Sequence, residues 1–199
     1  MTSNALQASQ RLAWSALMAM GMTVAQAAPV SYTIDPTHTF PSFEADHMAG
    51  MSVWRGKFNR NSGTVVLDKA AQTGELQVSI DVTSIDYGLD AMNDKARSAE
   101  FFDTAKYPSA TYQGKLGGWV KGVPTQVTGT LSLHGVSKPV NLQIRSFKCM
   151  PHPMLKRDWC GADALATLNR EDFGISAGKD WGFDMAVTLR IQVEAVAAE

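Results

Sequence analysis

The 199-residue sequence lacks several short motifs that mark common catalytic and nucleotide-binding sites. It has no H-E-x-x-H pair, no P-loop, no dinucleotide-binding glycine fingerprint and no C-x-x-C. Histidine is scarce, and His38 and His47 lie an odd interval apart, so on one regular strand they would face opposite sides. These absences favour a binding protein over an enzyme. We therefore expect no catalytic residue, no metal and no cofactor apart from a bound ligand.

An excess of one charge and a membrane-spanning apolar run are also missing. The formal net charge is −1, too close to neutral to indicate nucleic acid or an anionic membrane surface as a partner. The longest apolar run, LAWSALMAMGMTVA, has about 14 residues, short of the roughly 20 that cross a bilayer. It follows Arg11 and ends at Ala25-Gln26-Ala27, a pattern typical of a secretory signal peptide rather than an uncleaved anchor. We predict a signal peptide over residues 1–27, one mature domain over residues 28–199, and a periplasmic location.

Only two cysteines are present, Cys149 and Cys160, in the segment CMPHPMLKRDWC. An even cysteine count in an exported protein favours a disulfide. For a loop of this size the chain-entropy description gives a stabilisation of about 3 kcal/mol. A metal site formed by Cys149, His152 and Cys160 is the alternative, although its spacing matches no common zinc pattern.

Alternation of apolar and polar residues dominates the rest of the chain, and helical periodicity is scarce. Two hairpins are predicted: one joins GTVVLD to GELQVSIDV, and the other joins TGTLSLHG to KPVNLQIRSF. The last run, DMAVTLRIQVEAV, places on one face Met185, Val187, Leu189, Ile191 and Val193. The one convincing helix is LDAMNDKARSAEFF, with Asp90 as its expected N-cap. Eight or so strands with one short helix indicate an all-β fold, either a closed antiparallel barrel or a sandwich.

Aromatic residues cluster where the predicted helix meets the next strand, in SAEFFDTAKYPSATY. They either plug one end of a sheet or line the mouth of a cavity, and they are Phe101, Phe102, Tyr107 and Tyr112. The segment HMAGMSVWRGKF adds further large apolar residues, namely Met48, Met51, Trp54 and Phe58. Ordinary core burial accounts for any one of these residues, whereas the set as a whole indicates an apolar cavity.

Four segments occur in a characteristic order and cover nearly all of the chain after the predicted signal peptide: YTIDPTHTFPSFEADHMAGMSVWRGKF, RSAEFFDTAKYPSATY, GTLSLHGVSKPVNL and LNREDFGIS. In this order they resemble the YceI-like family of exported proteins. The resemblance implies an extended antiparallel eight-stranded lipocalin-like β-barrel with one short α-helix near one end. It also implies an apolar tunnel that binds a polyisoprenoid lipid, either a prenyl phosphate or an isoprenoid quinone, for transport or storage. The segment from Cys149 to Cys160 departs from the family pattern.

The ligand contacts predicted from the apolar residues and from this resemblance are Phe40, Phe43, Met48, Met51, Trp54, Phe58, Leu89, Met92, Phe101, Phe102, Tyr112, Leu131 and Leu133. Beyond the lipid, we expect transient contact with a membrane or a membrane protein, and a homodimer is left open. Two alternatives also stay open. One is an enzyme that acts on an isoprenoid or another lipid, and the other is a stress-related structural protein whose barrel is filled by its own side chains.

Overall fold

Residues 28–199 are described by the computed structural model, and the signal peptide predicted for residues 1–27 lies outside them. The strands are β1 (Val30–Ile34), β2 (Phe40–His47), β3 (Ser52–Phe58), β4 (Asn61–Asp68), β5 (Thr73–Asp81), β6 (Ile85–Asp86), β7 (Ser109–Gly117), β8 (Gln126–Leu133), β9 (Val136–Pro139), β10 (Leu142–Pro151), β11 (Asp158–Asn169) and β12 (Ala186–Ala197). The helix α1 spans Asp90–Arg97, and short 3-10 helices occupy Val82–Ser84, Arg170–Phe173 and Lys179–Trp181. Among these described helices, none has the length and apolar character needed to cross a bilayer.

Eight of the strands close into a barrel. Hydrogen-bonded neighbours follow the order β1-β4-β5-β7-β8-β10-β11-β12, and β12 returns to pair with β1. Every pair in this ring is antiparallel. At the closure, residues 32–34 of β1 pair with residues 195–197 of β12. The expected eight-stranded antiparallel barrel with one short helix is confirmed, and the sandwich alternative is excluded.

Short strands outside the ring lengthen the barrel wall at one end. β12 pairs with β1 over residues 195–197 and with β2 over residues 187–192, so β1 and β2 lie end to end along one edge of β12. β3 pairs with β2, β6 pairs with β3, and α1 packs beside β6. A polar turn separates β1 from β2, in which Asp35 accepts hydrogen bonds from the backbone and hydroxyl of Thr37 and lies 2.7 Å from Nδ1 of His38. The barrel is therefore an extended one, as the family resemblance implied.

Two predicted elements differ from the structure in their boundaries. β4 and β5 form the first predicted hairpin, but the second is interrupted, because β9 pairs back onto β8 and most of β10 pairs with β11. The helix is shorter than predicted, since it ends at Arg97 and Ser98 is extended. Asp90 as the N-cap is wrong: extended Leu89 holds that position, and Asp90 is the first helical residue. There its carboxylate still meets the positive end of the helix dipole.

The two cysteines pair directly across the β10–β11 hairpin. Cys149 of β10 stands opposite Cys160 of β11, and the two sulfurs form a disulfide, which confirms the predicted bridge. The metal alternative loses its thiolate ligands, because a metal binds the deprotonated thiol. The Nδ1 atom of its third candidate ligand, His152, instead accepts hydrogen bonds from the backbone N–H groups of Met154 and Leu155.

Removing the disulfide should lower stability and leave the barrel intact. We expect the double variant Cys149→Ala, Cys160→Ala to lose about 3 kcal/mol of unfolding free energy, because the unfolded chain gains the entropy of an opened loop. Urea unfolding followed by tryptophan fluorescence measures the difference. A reductant should destabilise the unmodified protein by a similar amount and leave the double variant unchanged, and equal stabilities would contradict the prediction.

The turn between β1 and β2 should make the free energy of unfolding depend on pH in the acid range. Burial alone would raise the pKa of Asp35, but hydrogen bonds from Thr37 and His38 outweigh it and lower the pKa from 3.8 to about 2. Such a carboxylate stabilises the fold above its unfolded pKa and loses that contribution as the pH falls through the folded value. Asp35→Asn should therefore be less stable than the unmodified chain near neutral pH. The difference should shrink as the pH falls from 3.8 to about 2, and urea unfolding across that range checks it; a pH-independent difference would show that the charge plays no part.

Candidate functional site

A cavity of about 440 Å³ lies inside the barrel. Its walls reach from Met92 and Ala96 of α1 at one end to Tyr32 and Cys160 at the other. The volume lies within the roughly 300–1,000 Å³ typical of small-molecule sites. The interior is therefore not filled by the protein's own side chains, and the barrel contains a tunnel.

Strand alternation turns an apolar face of the ring strands towards this tunnel. β12 contributes the face predicted from the sequence, with Val187, Leu189, Ile191 and Val193 lining the wall. On the neighbouring strand β11, the lining residues include Ala162 and Ala164. An eight-stranded barrel is just wide enough to be filled by side chains, so small residues on one wall keep space open.

An aromatic cluster surrounds the tunnel at the α1 end and consists of Phe43, Phe58, Tyr87 and Phe102. The ring centre of Phe43 lies 5.6 Å from that of Tyr87 and 5.8 Å from that of Phe58. The ring centre of Phe102 lies 5.8 Å from that of Phe58, edge to face. Contacts of this kind contribute about 0.5–1.5 kcal/mol each beyond area burial, so the rings hold this end of the wall in place.

The corner after α1 lines the tunnel with some of its aromatic residues. Phe101 and Phe102 both face the tunnel, and Tyr112 of β7 lines it farther along. Tyr107 packs against His134 instead, with ring centres 4.5 Å apart. The sequence allowed two interpretations of this corner, a plug at one end of the sheet or the border of a cavity, and the structure supports the second.

Gly56 of β3 makes room for the aromatic cluster. A Cβ atom at this position would lie 2.6 Å from the ring of Phe43 and 3.1 Å from the ring of Tyr87. Glycine inside a strand often marks such a close approach, so the sequence carried this signal although our reading did not use it. Tyr87 follows β6 and belongs to no predicted strand, so nothing in the sequence pattern pointed to it.

Polar groups interrupt the apolar lining at the α1 end, and one of them is the half-buried Arg170. Its guanidinium donates to the backbone carbonyls of Ile175, at 3.2 Å, and Ala177, at 2.6 Å. Within residues 28–199 no carboxylate lies at ion-pair distance from it, and Glu171 pairs with Lys179 instead. Burial lowers the pKa of Arg170 and raises that of Tyr87 to about 12. A guanidinium has five N–H donors, so Arg170 retains hydrogen-bonding capacity beyond these two bonds.

Two further polar residues of β2 border the same end of the tunnel. The ring of His47 stacks on Trp54 with centres 4.3 Å apart and meets Phe183 edge to face. Asp46 accepts hydrogen bonds from the backbone N–H groups of Gly50 and Asp184, and the bond from Asp184 is the main cause of its lowered pKa. Asp46 is therefore occupied in holding the β2–β3 turn against the 184 segment.

The opposite end of the tunnel is bordered by Tyr32, Phe147 and Cys160. Tyr32 is buried and donates its hydroxyl proton to Asp158 at 2.6 Å. Asp158 also pairs with Lys69 at 2.5 Å. Burial, together with the hydrogen bond to Asp158, raises the pKa of Tyr32, so this end is anchored by a neutral phenol.

Most of the predicted ligand contacts line the tunnel: Phe43, Trp54, Phe58, Met92, Phe101, Phe102, Tyr112, Leu131 and Leu133. Four others lie outside the lining. Phe40 points away because alternation along β2 turns Pro41 and Phe43 inward, and its ring lies under the Lys57 ammonium at 4.8 Å. Met48 and Met51 in the β2–β3 turn and Leu89 before α1 are exposed to solvent. Ligand contact itself stays a prediction for all thirteen.

Residues 174–178, GISAG, match the G-x-S-x-G pattern of a hydrolase nucleophile turn, and to count this motif as absent from the sequence is wrong. That pattern requires a sharp turn from a strand into a helix. Here the segment follows the 3-10 helix Arg170–Phe173, and Ser176 is exposed. Within residues 28–199 no histidine or carboxylate forms a hydrogen bond with its hydroxyl. The structural context of a nucleophile turn is therefore not met at Ser176.

Comparison with known proteins identifies relatives of this chain. A family model described as a YceI-like domain matches residues 32–195. Protein YceI of Escherichia coli O6:H1 is 34% identical over 176 residues, which cover 85% of this chain and 88% of that protein. A UPF0312 protein of Pseudomonas aeruginosa LESB58 is 31% identical over 194 residues, covering 91% and 96% of the two chains.

Solved structures share the fold. BcnA of Burkholderia cenocepacia has a TM-score of 0.64 at 24% identity and covers 81% of this chain and 98% of its own. A polyisoprenoid binding domain from Saccharophagus degradans has a TM-score of 0.62 at 21% identity, covering 85% and 99%. At these identities the likeness concerns the fold alone, whereas the family match extends over most of the sequence. The chain belongs to the YceI-like family.

Proposed function

We propose that the protein binds a polyisoprenoid lipid inside the tunnel and carries or stores it. The observation that carries this proposal is the unfilled apolar cavity of about 440 Å³ along the barrel. The structural neighbour from Saccharophagus degradans is itself described as a polyisoprenoid binding domain, which supports the same ligand class here. The cavity also argues against a barrel filled by its own side chains.

The tail of the lipid supplies most of the binding free energy. Burying apolar carbon contributes roughly 0.8 kcal/mol per methylene, so some twenty buried carbons contribute about 16 kcal/mol before the cost of ordering the chain. A lipid of this kind therefore needs few polar contacts to remain bound. The tail therefore contributes more of the binding free energy than the head group does.

The head group lies at the α1 end in this proposal, because Arg170, Tyr87 and His47 border the tunnel there. A phosphate and a quinone carbonyl both accept hydrogen bonds from a guanidinium. Only the phosphate neutralises the charge of Arg170, which is half-buried and, within residues 28–199, has no carboxylate at ion-pair distance. Of the two ligand types, this favours the prenyl phosphate.

The cellular setting follows from the predicted leader. A signal peptide over residues 1–27 that is removed after Ala27 delivers the barrel to the periplasm. The disulfide between Cys149 and Cys160 is in keeping with that oxidising compartment. Function in this setting is binding rather than catalysis.

Organic extraction tests the ligand class directly. Protein purified from its native host, extracted with chloroform and methanol and analysed by mass spectrometry, should release a polyisoprenoid lipid in near-equal molar amount. The reason is that an apolar tunnel retains a hydrocarbon tail through purification. Recovery of no lipid, or of straight-chain fatty acids alone, would contradict the proposal.

Substitution at the α1 end should weaken lipid retention. Phe101→Leu and Phe102→Leu are each expected to lower the affinity for a fluorescent prenyl probe by about fivefold to tenfold, because each removes part of an aromatic ring from the tunnel wall. Phe40→Leu is the matched control, since the ring of Phe40 lies outside the lining. Thermal unfolding of all three variants shows whether the loss of affinity is larger than a loss of stability explains. Normal lipid retention with a much lower melting temperature would show that these rings serve only the hydrophobic core.

Arg170 should set the preference for a charged head group. Arg170→Gln is expected to lower the ratio of prenyl phosphate affinity to prenyl alcohol affinity by about tenfold or more, as for a lost hydrogen bond to a charged group. The ratio within one variant cancels damage to the tunnel, which matters because Arg170 also anchors Ile175 and Ala177. Arg145→Gln on the exposed face of β10 is the control. An unchanged ratio in Arg170→Gln would remove the head-group assignment and leave the tunnel proposal standing.

A further inference from the structure

The β10–β11 hairpin extends past the end of the barrel opposite α1. β10 pairs with β8 only at Leu142 and Gln143 and continues to Pro151 with β11 as its partner. β11 pairs with β12 as far as Trp159, so the residues between Met150 and Trp159 lie beyond the ring of strands. We call residues 148–157 the hairpin tip, together with the disulfide that braces it. Phe147 and Cys160, at its base, line the tunnel. The hairpin tip therefore projects from one end of the proposed lipid site.

The hairpin tip has a defined conformation. The disulfide joins its two strands, and the backbone N–H of His152 donates to the carbonyl of Arg157 at 2.7 Å. The N–H of Lys156 donates a hydrogen bond to the carbonyl of His152 at 3.0 Å. Nδ1 of His152 accepts the N–H groups of Met154 and Leu155. These bonds hold the outermost residues in place, whatever they contact.

That conformation presents large apolar side chains to solvent. Met154 is 81% exposed, Leu155 is 50% exposed and Met150 is 41% exposed. Exposed apolar side chains that lie next to one another are a feature of interaction sites. Methionine and leucine also suit a disordered apolar partner, because they adapt to it without a fixed shape.

The chain as a whole is near neutral, but the charge of the hairpin tip is all of one sign. Asp158, which follows the tip, is bound by Lys69 and Tyr32. Its sequence, KCMPHPMLKR, contains Lys148, Lys156 and Arg157 and no acidic residue. Lys148 and Lys156 are exposed, and within residues 28–199 neither forms an ion pair. Arg157 has only a 3.8 Å contact with Glu199. The partner that complements this surface is apolar inside and negatively charged outside.

We propose that the hairpin tip docks on the surface of an anionic lipid bilayer, with Met154 and Leu155 entering the head-group region. Lys148, Lys156 and Arg157 then face the lipid phosphates. A second copy of this chain fits less well, because two tips in contact would bring like charges together. The exposed Trp181 at the other end of the barrel fits the same surface less well, because Asp180 is beside it and the nearby Lys179 is paired with Glu171.

Docking in this way brings the tunnel end bordered by Phe147 and Cys160 close to the bilayer. This inference goes beyond the proposed function and does not depend on which lipid occupies the tunnel. It also gives a role to the segment from Cys149 to Cys160.

Vesicle sedimentation tests the proposal. The purified protein should sediment with vesicles of phosphatidylcholine mixed with phosphatidylglycerol and remain in solution with phosphatidylcholine alone. Lys148→Gln with Lys156→Gln should weaken binding about 25-fold, from about a fivefold contribution by each cation near an anionic surface. Met154→Ser with Leu155→Ser should weaken it by about tenfold or more through lost apolar burial. Added salt should weaken binding of the unmodified protein as well.

Matched controls lie elsewhere on the barrel. Val53→Ser changes a side chain that is 52% exposed, close to the value for Leu155, and Lys138→Gln removes an exposed lysine of β9. Both should bind vesicles like the unmodified protein. Equal binding by tip variants and controls, or no binding by the unmodified protein, would overturn the proposal. So would a hairpin tip that drives self-association in sedimentation velocity without binding vesicles.

Tunnel occupancy is measured in the same samples. The tip variants should retain their co-purified lipid, because their substitutions lie outside the tunnel lining. Loss of that lipid together with vesicle binding would overturn the docking role and assign the effect to the tunnel. A protein that binds vesicles through the tip yet contains no lipid would contradict the proposed function alone.

Discussion

Pairing of β1 with β12 is the contact on which the rest of the structure depends, because it closes the sheet. An open sheet would expose an apolar face and two unpaired edges to water. The pairing is short, covering residues 32–34 and 195–197. Tyr32 reinforces it, since its hydroxyl reaches past β12 to Asp158 of β11, and Lys69 binds the same carboxylate. Backbone pairing and a buried side chain thus close the barrel together.

Closing the barrel around a cavity that its own side chains do not fill has an energetic consequence. Protein interiors are normally packed to crystal-like density, and side chains that line an empty space lose contacts on one side. Stability must then come from the wall itself, through the strand pairing, the aromatic cluster and the disulfide. In the proposed function a hydrocarbon tail supplies the missing contacts, so the ligand acts as part of the core.

The two ends of the barrel differ in chemistry. The α1 end combines aromatic rings with Arg170 and Tyr87, a setting suited to a polar head group in apolar surroundings. The opposite end has a neutral phenol at its base and a cationic, apolar hairpin tip outside. The proposals for head-group binding and for membrane docking therefore concern different residues, and each rests on its own contacts.

Much of the fold could be read from local patterns. Alternation identified the inward face of β12 and the β4–β5 hairpin, the cysteine count predicted the bridge, and the order of four segments implied the barrel. The residues proposed to bind the head group were harder to find. Arg170 lies in a short 3-10 helix and Tyr87 just after β6, so no periodicity assigns either to a face.

Phe40 and Phe43 show where sequence reasoning stops. They lie an odd interval apart on β2, so alternation alone requires that they face opposite sides. Which of them faces inward depends on the register of β2 against β12 and β3, and the turn at Asp35 sets where β2 begins. By itself the sequence determined strands, their apolar faces and the disulfide, because these follow from spacing along the chain. Only the tertiary structure decided which side chains surround an open tunnel, because the distance between opposite walls arises from closure by residues far apart in sequence.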